Sequence, residues 1–236
     1  MAHIGSRETH AQLARSIALA CALIMTGCNH RAAPTASEVP LAIAPTPVAL
    51  AGFFQSCWRN RLPDEYRLIL TEDFEFDFAT GDSAGEAYRT IPWDRTDELL
   101  CAAHMFRDGT PTQPPATSIA LDYTQNPSDD PDPDSRKNPK WHRLLTLQVL
   151  LRVNIPHGTW EVRGPVYFYV VRGDSAQIPP DLVVQGVHAD STQWWLEKWV
   201  DGTLQGSPPA VTGPARPLRT MPGRSLTWGY VKSIYR

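Results

Sequence analysis

The stretch YRLILTEDFEFDF, residues 66–78, reads as the end of an amphipathic helix that passes, after a short break, into an alternating strand. Leu62, Tyr66, Ile69 and Leu70 form one stripe of a short helix. Pro63 sits where a first-turn proline belongs, and Asp64 and Glu65 complement the positive helix start. Thr71-Glu72-Asp73 is expected to stop it. Phe74, Phe76 and Phe78 then alternate with Glu75 and Asp77, so one strand face is aromatic and the other acidic. Asp77 turns inward only if the register slips by one, which exposes all three phenylalanines.

Upstream, residues 48–61 place Leu50, Phe53, Phe54, Cys57 and Trp58 at helical spacing, with Arg59 and Arg61 at the far end. Downstream, residues 79–91 form a Gly/Asp/Ser-rich connection. Asp94 can cap a third helix from Arg95, with Leu99, Ala103 and Phe106 on one side, ended by Asp108-Gly109 and three prolines. Ile119, Leu121 and Tyr123 alternate in a short strand, and residues 126–139 read as a polar, proline-broken loop.

Three longer strands follow. Residues 143–153 carry Leu145, Leu147, Val149, Leu151 and Val153 on one face. Residues 159–172 hold Gly164-Pro165, a bulge or bend. Residues 192–201 carry Trp194, Leu196, Trp199 and Asp201, and the step from Leu196 to Trp199 breaks alternation and predicts a bulge. Residues 204–224 are rich in proline and glycine and are expected along the surface, while residues 226–235 are apolar enough to dock back. Helices first and strands after them make the class α+β with a mainly antiparallel sheet.

The N-terminal part is a separate matter. Arg7 and Arg15 precede an apolar run at residues 17–25, too short to span a bilayer, which ends in Thr26-Gly27-Cys28. This resembles the lipobox of bacterial lipoproteins, although Met25 replaces the preferred leucine. The resemblance implies lipidation of Cys28, with palmitate in the anchor and membrane attachment through it. Asn29 is not the aspartate that resembles an inner-membrane retention signal, so in a cell with two membranes the resemblance implies an outer-membrane address, facing the periplasm. Residues 1–27 are read as signal peptide and 28–48 as a Pro/Ala-rich tether. Residues 49–203 are read as the domain, and 204–236 as an irregular tail that docks back on it.

The chain has 236 residues, 42% of them hydrophobic, with 22 prolines, which suits one core between non-globular ends. Its net charge is −3, and −4 without residues 1–27. No basic face is implied, and the 8 tryptophans do not alternate with Lys or Arg, so nucleic acid is not an expected partner.

Two motifs carry a resemblance to a known family. Tyr66-x-x-Ile69-Leu70 followed by Asp73-Phe74-x-Phe76 resembles the second-helix-to-first-strand passage of the nuclear transport factor 2-like (SnoaL-like, cone-shaped) superfamily. Trp194-x-Leu196-x-x-Trp199-x-Asp201 resembles its terminal strand. The resemblance implies three helices, all in the N-terminal half, packed in the concavity of a strongly bent, mainly antiparallel sheet. It also implies a choice between binding domains and ketosteroid isomerase-like or dehydratase-like enzymes, which use an Asp or His inside the cone with Tyr partners. A homodimer through the outer sheet face is a further implication.

The residues point away from catalysis. Asp77 and Asp122 alternate out of phase with the inward stripes, and His104 lies off the stripe of its helix. Asp77 and His104 are therefore weak catalytic candidates. His142, His157 and His188 lack ligand spacing, and Pro131 and Pro133 interrupt the calcium-loop likeness of Asp130, Asp132 and Asp134. No metal site or cofactor is expected. Cys57 and Cys101 suit either a disulfide or two apolar helix faces, and that choice stays open. Tyr66, Leu70, Phe74, Phe76, Phe78, Tyr123, Tyr167, Tyr169 and Trp199 are expected to line a pocket or fill a core. The leading expectation is a lipid-anchored, non-catalytic envelope protein that binds a small apolar ligand or a protein partner, with an acid-poor, aromatic interior. The alternative is a lyase or isomerase acting on a hydrophobic small molecule.

Overall fold

A computed structural model describes residues 44–203 and 225–236. The signal segment, Cys28, most of the tether and the surface course expected for 204–224 lie outside the described residues. Helix α1 (Pro47–Asn60) starts where Thr46 accepts a hydrogen bond from the Ala49 amide and ends at Arg61, whose φ of 54° closes it in the left-handed region. Leu50, Phe54, Cys57 and Trp58 form its buried face. The domain thus begins earlier than the tether boundary suggests: Ala44 is already buried, and its carbonyl accepts from the Trp194 amide.

Helix α2 (Pro63–Tyr66) is one turn long and continues as a 3₁₀ turn, Arg67–Ile69. The expected stop at Thr71-Glu72-Asp73 is corrected: strand β1 (Leu70–Asp77) already contains all three. Thr71 is buried, with its hydroxyl donating to the Leu196 carbonyl. Strand β2 (Trp93–Asp94) leads into α3 (Arg95–Ala103), whose N-cap Asp94 accepts from the Asp97 amide. A π turn, His104–Asp108, closes α3. Then come β3 (Ser118–Tyr123), β4 (Ser128–Pro131), β5 (His142–Ile155), β6 (Gly158–Arg172), a single turn α4 (Pro180–Val183), and β7 (Trp194–Asp201). After residues 204–224, β8 (Ser225–Leu226) and α5 (Trp228–Ile234) complete the described chain. No helix among the described residues is long and apolar enough to cross a membrane.

The sheet runs β2-β1-β7-β6-β5-β3, with β4 on β5 and β8 on β6. Pairings are antiparallel except β1 with β7 and β6 with β8. The domain is α+β, with helices against the inner face of a mainly antiparallel sheet in a cone-like arrangement, as expected. The expected bulge in the last long strand is present: Tyr169 pairs with Lys198 and Val170 with Leu196, so Glu197 is the extra residue. Gly164, by contrast, causes no slip against β5, because Val149 pairs with it in unbroken register. Its φ of 135° makes it a bend, next to where pairing with β7 begins at Val166. Residues 126–139 are not all loop, since β4 adds an edge to β5 with Asp129 opposite Leu145, and Arg143 Nε donates to the Asp129 carboxylate at 2.7 Å.

The core lies between α1 and the sheet. Phe54 is fully buried, with the rings of Phe168, Trp199, Tyr66, Trp58 and Trp228 at 4.8–6.1 Å. Burying one such side chain contributes about 2–3 kcal/mol, so this cluster is a main stabilising term of the fold.

Candidate functional site

The register of the sheet sets up the interior. Trp93 pairs with Phe76, Phe76 with Trp199, and Trp199 with Phe168, so four rings stand in one inward row across β2, β1, β7 and β6. The Phe76 and Trp199 rings are 5.0 Å apart and nearly perpendicular, at 86°. Into that corner α5 places Lys232. Its Nζ lies 3.5 Å from each ring centroid and donates to Glu98 Oε2 at 2.5 Å. Lys232 is 0% exposed and Glu98 1%.

Glu98 comes from the first turn of α3, where the helix dipole favours a carboxylate. Tyr66 donates to its Oε1 at 2.8 Å and Trp93 Nε1 to its Oε2 at 2.9 Å. Three elements thus aim donors at one buried carboxylate, which a charge in a low-dielectric interior requires. Burial pulls the Lys232 ammonium below its usual range, and Glu98 opposes that pull. Burial, followed by the Glu98 charge, pushes the Tyr66 phenol well up.

A second buried carboxylate, from the end of β7, sits at the start of α5. Asp201 accepts from the Thr203 amide and hydroxyl on Oδ1 and from the Gly229 amide on Oδ2. Burial raises its pKa, while the bonds from Thr203 and Gly229 lower it. Thr203 in turn accepts from the Trp228 amide at 3.1 Å, and the Thr227 hydroxyl donates to Asp82. The closing segment is therefore not irregular: α5 is a buried helix, stapled at its N-terminus and ion-paired in its middle.

Several expectations about the site need correction. The interior is not acid-poor, because Glu98 and Asp201 face it. Of the stripe expected for the third helix, Leu99/Ala103/Phe106, only Phe106 is buried as expected; Glu98, Cys101, Ala102 and Met105 are buried in place of Leu99 and Ala103, which are half-buried. Tyr167 and Tyr169 line no interior pocket, because they alternate with buried Val166, Phe168 and Val170 and so face outward. Phe78 lies past the end of β1, half-buried and stacked on Tyr88 at 4.8 Å. Tyr66, Leu70, Phe74, Phe76 and Trp199 are all buried, and Tyr123 donates to the Ala51 carbonyl at the sheet edge.

The two catalytic candidates stand elsewhere. Asp77 is on the outer face, paired with Lys198 at 2.7 Å. His104 Nδ1 lies 2.7 Å from the Tyr235 carbonyl, so it holds the end of the chain. Cys57 and Cys101 are both buried free thiols. Burial pushes Cys57 up to about 12 and Cys101 well above its ordinary value.

A cleft of about 590 Å³ opens beside the cone, lined by Phe76, Phe78, Asp82, Tyr88 and Arg89 among others. Phe76 is shared: one wall of the Lys232 corner also lines this cleft. A smaller groove of about 320 Å³ on the outer face runs between Asp77, Asp132, Lys137, Tyr169 and Lys198.

No protein-family model matches the sequence, and no curated protein matches it either. Solved structures of similar backbone course exist. A nuclear transport factor 2-like superfamily protein from Salmonella enterica serovar Typhimurium str. LT2 is 10% identical, with 72% of this chain and 94% of that chain covered and a TM-score of 0.40. A hexachlorocyclohexane dehydrochlorinase (LinA) type 2 is 10% identical, covering 69% and 90%, with a TM-score of 0.41. A Mycobacterium tuberculosis protein of unknown function is 12% identical, covering 64% and 66%, with a TM-score of 0.39. At these identities no side chain of one protein can be equated with a side chain of another.

Proposed function

We propose that the chain is a lipid-anchored protein of the cell envelope, in the outer membrane and facing the periplasm, whose cone-like domain is a non-catalytic binding module. The anchor reading is supported by Thr26-Gly27-Cys28 after a short apolar run. The non-catalytic reading is carried by one observation: Glu98, the carboxylate in the aromatic interior, already accepts three hydrogen bonds from the protein itself, one on Oε1 and two on Oε2, and is 1% exposed. A general base needs a lone pair turned to a substrate, and an oxyanion donor needs a free hydroxyl. The Tyr66 hydroxyl, best placed for the second task, is bound to Glu98. The ligand is a small molecule with an apolar body, or a segment of a partner, that takes the place of α5. A lyase or isomerase acting on a hydrophobic small molecule is the second reading; the raised pKa of buried Asp201 favours it.

Two measurements test this. Labelled palmitate enters the expressed chain and not a Cys28→Ser variant; equal labelling of both removes the anchor. Trp228→Ala, which withdraws the ring packed 4.6 Å from Trp199, takes up the apolar dye N-phenyl-1-naphthylamine saturably, and the intact chain takes up less. A folded Trp228→Ala that takes up none removes the binding module.

A further inference from the structure

The environment of Lys232 is more specific than a buried ion pair requires. An ammonium has three N–H groups and no acceptor of its own. Here it faces three electron-rich partners: the Glu98 carboxylate at 2.5 Å and the faces of Phe76 and Trp199 at 3.5 Å each. Two perpendicular rings and a carboxylate make the receptor by which proteins recognise free organic cations. The donors on Glu98 from Tyr66 and Trp93 fix its carboxylate beside the two rings independently of the bond from Lys232.

Two further observations point the same way. Among the described residues Trp199 Nε1 is buried with no hydrogen-bond partner, as are those of Trp58, Trp195 and Trp228. The Trp199 ring also packs against Phe54, Phe168 and Trp228, so the core holds it in the orientation that presents its face to the corner. The 590 Å³ cleft lies on the other side of Phe76, so one ring separates the corner from the outside.

We propose that the Phe76–Trp199–Glu98 corner is a recognition site for an organic ammonium group on a short alkyl arm, with Lys232 as its resident occupant. The inference rests on the reading of the domain as a binding module, and names its ligand as an amphipathic cation. The α5 helix is the competitor that such a ligand displaces. The shared chemistry is an alkylammonium, whether free in solution or at the end of a lysine side chain of another protein.

The test uses the full chain with Lys232→Ala, which removes three carbons and the amine, so n-propylammonium is the missing piece. Thermal unfolding is followed with n-propylammonium, with Nα-acetyl-lysine methylamide and with the neutral 1-propanol. The expected result is a saturable rise of several degrees in Tm at millimolar n-propylammonium and none with 1-propanol. The preference is lost in Lys232→Ala/Glu98→Gln. A larger effect of the lysine derivative identifies a protein lysine as the source, and a larger effect of the free amine identifies a small molecule. Should Lys232→Ala be unfolded alone, the expected result is recovery of its circular dichroism by the amine and not by the alcohol. In the wild-type chain, the same amines expose Lys232 to acetylation in a dose-dependent way, mapped by peptide mass spectrometry. Equal effects of amine and alcohol, or no effect of any, together with an unchanged acetylation map, overturn the proposal. If the Trp228→Ala chain still takes up the dye in that case, the binding module stands without its cation site.

Discussion

Lys232 donates to Glu98 across 2.5 Å, and the two residues stand 134 positions apart in the chain. The pair joins the first turn of α3 to the middle of α5 and sets the ammonium against Phe76 of β1 and Trp199 of β7. Breaking one side of such a pair leaves a buried charge without compensation.

Glu98→Gln and Lys232→Met are each expected to lower stability by about 3–5 kcal/mol. The double variant is expected to lose clearly less than the sum, because it leaves no orphaned charge. Urea unfolding of the four chains measures this, and strict additivity would show that the pair is not coupled.

Asp201 has a folded pKa raised by burial. Its contribution is therefore fully present below the unfolded value of about 3.9 and lost as pH rises through the folded value. The Tm of Asp201→Asn relative to the wild-type chain is expected to rise as pH goes from about 4 to 7. Other carboxylates cancel in that difference; parallel curves in calorimetry would contradict the assignment.

Thr203 and Trp228 flank residues 204–224, yet the Trp228 amide donates to Thr203 at 3.1 Å. Asp201 also holds Thr203 and Gly229 together from one side chain. Replacing residues 204–224 by a six-residue Gly/Ser linker, with a reach of about 20 Å, is expected to change stability by no more than about 1 kcal/mol. Loss of cooperative unfolding in that variant would show that the segment carries part of the fold.

Cys57 and Cys101 are free and buried, with thiol pKa values raised by that burial. In a chain carrying Cys21→Ser and Cys28→Ser, a disulfide-exchange reagent at pH 8 is expected to find almost no thiol until denaturant is added, and then two. Ready modification of the native chain would mean that the helix faces carrying these thiols open.

Much of the fold is legible in the sequence. The alternation of Phe74 and Phe76 with Glu75 and Asp77, and the five apolar positions of β5, appear in the structure as read. The break between Leu196 and Trp199 became the bulge at Glu197. Where one strand carries large apolar residues on both faces, as in Val166-Tyr167-Phe168-Tyr169-Val170, period two cannot say which face is inside. The pairing of Phe168 with Trp199 settled it and turned both tyrosines outward.

The candidate site was legible only in part. Glu98, Cys101, Ala102 and Met105 follow helical spacing, as do Trp228, Val231, Lys232 and Tyr235. Each set is an apolar stripe with one charge in it, of opposite sign. That mark was present, but a lone charge in a stripe ordinarily shifts the assigned face by one residue, which is how Leu99 and Ala103 came to be expected inside.

The sequence by itself determined most of the longer elements, the inward faces of β1 and β5 and the closing apolar segment, because these follow from local periodicity, capping and proline placement. Only the tertiary structure decided that residues 66–78 deliver Tyr66 to a carboxylate and Phe76 to an ammonium. Ion pairing, cation–π contact and desolvation depend on distances between segments far apart in the chain, and no spacing within a segment encodes them.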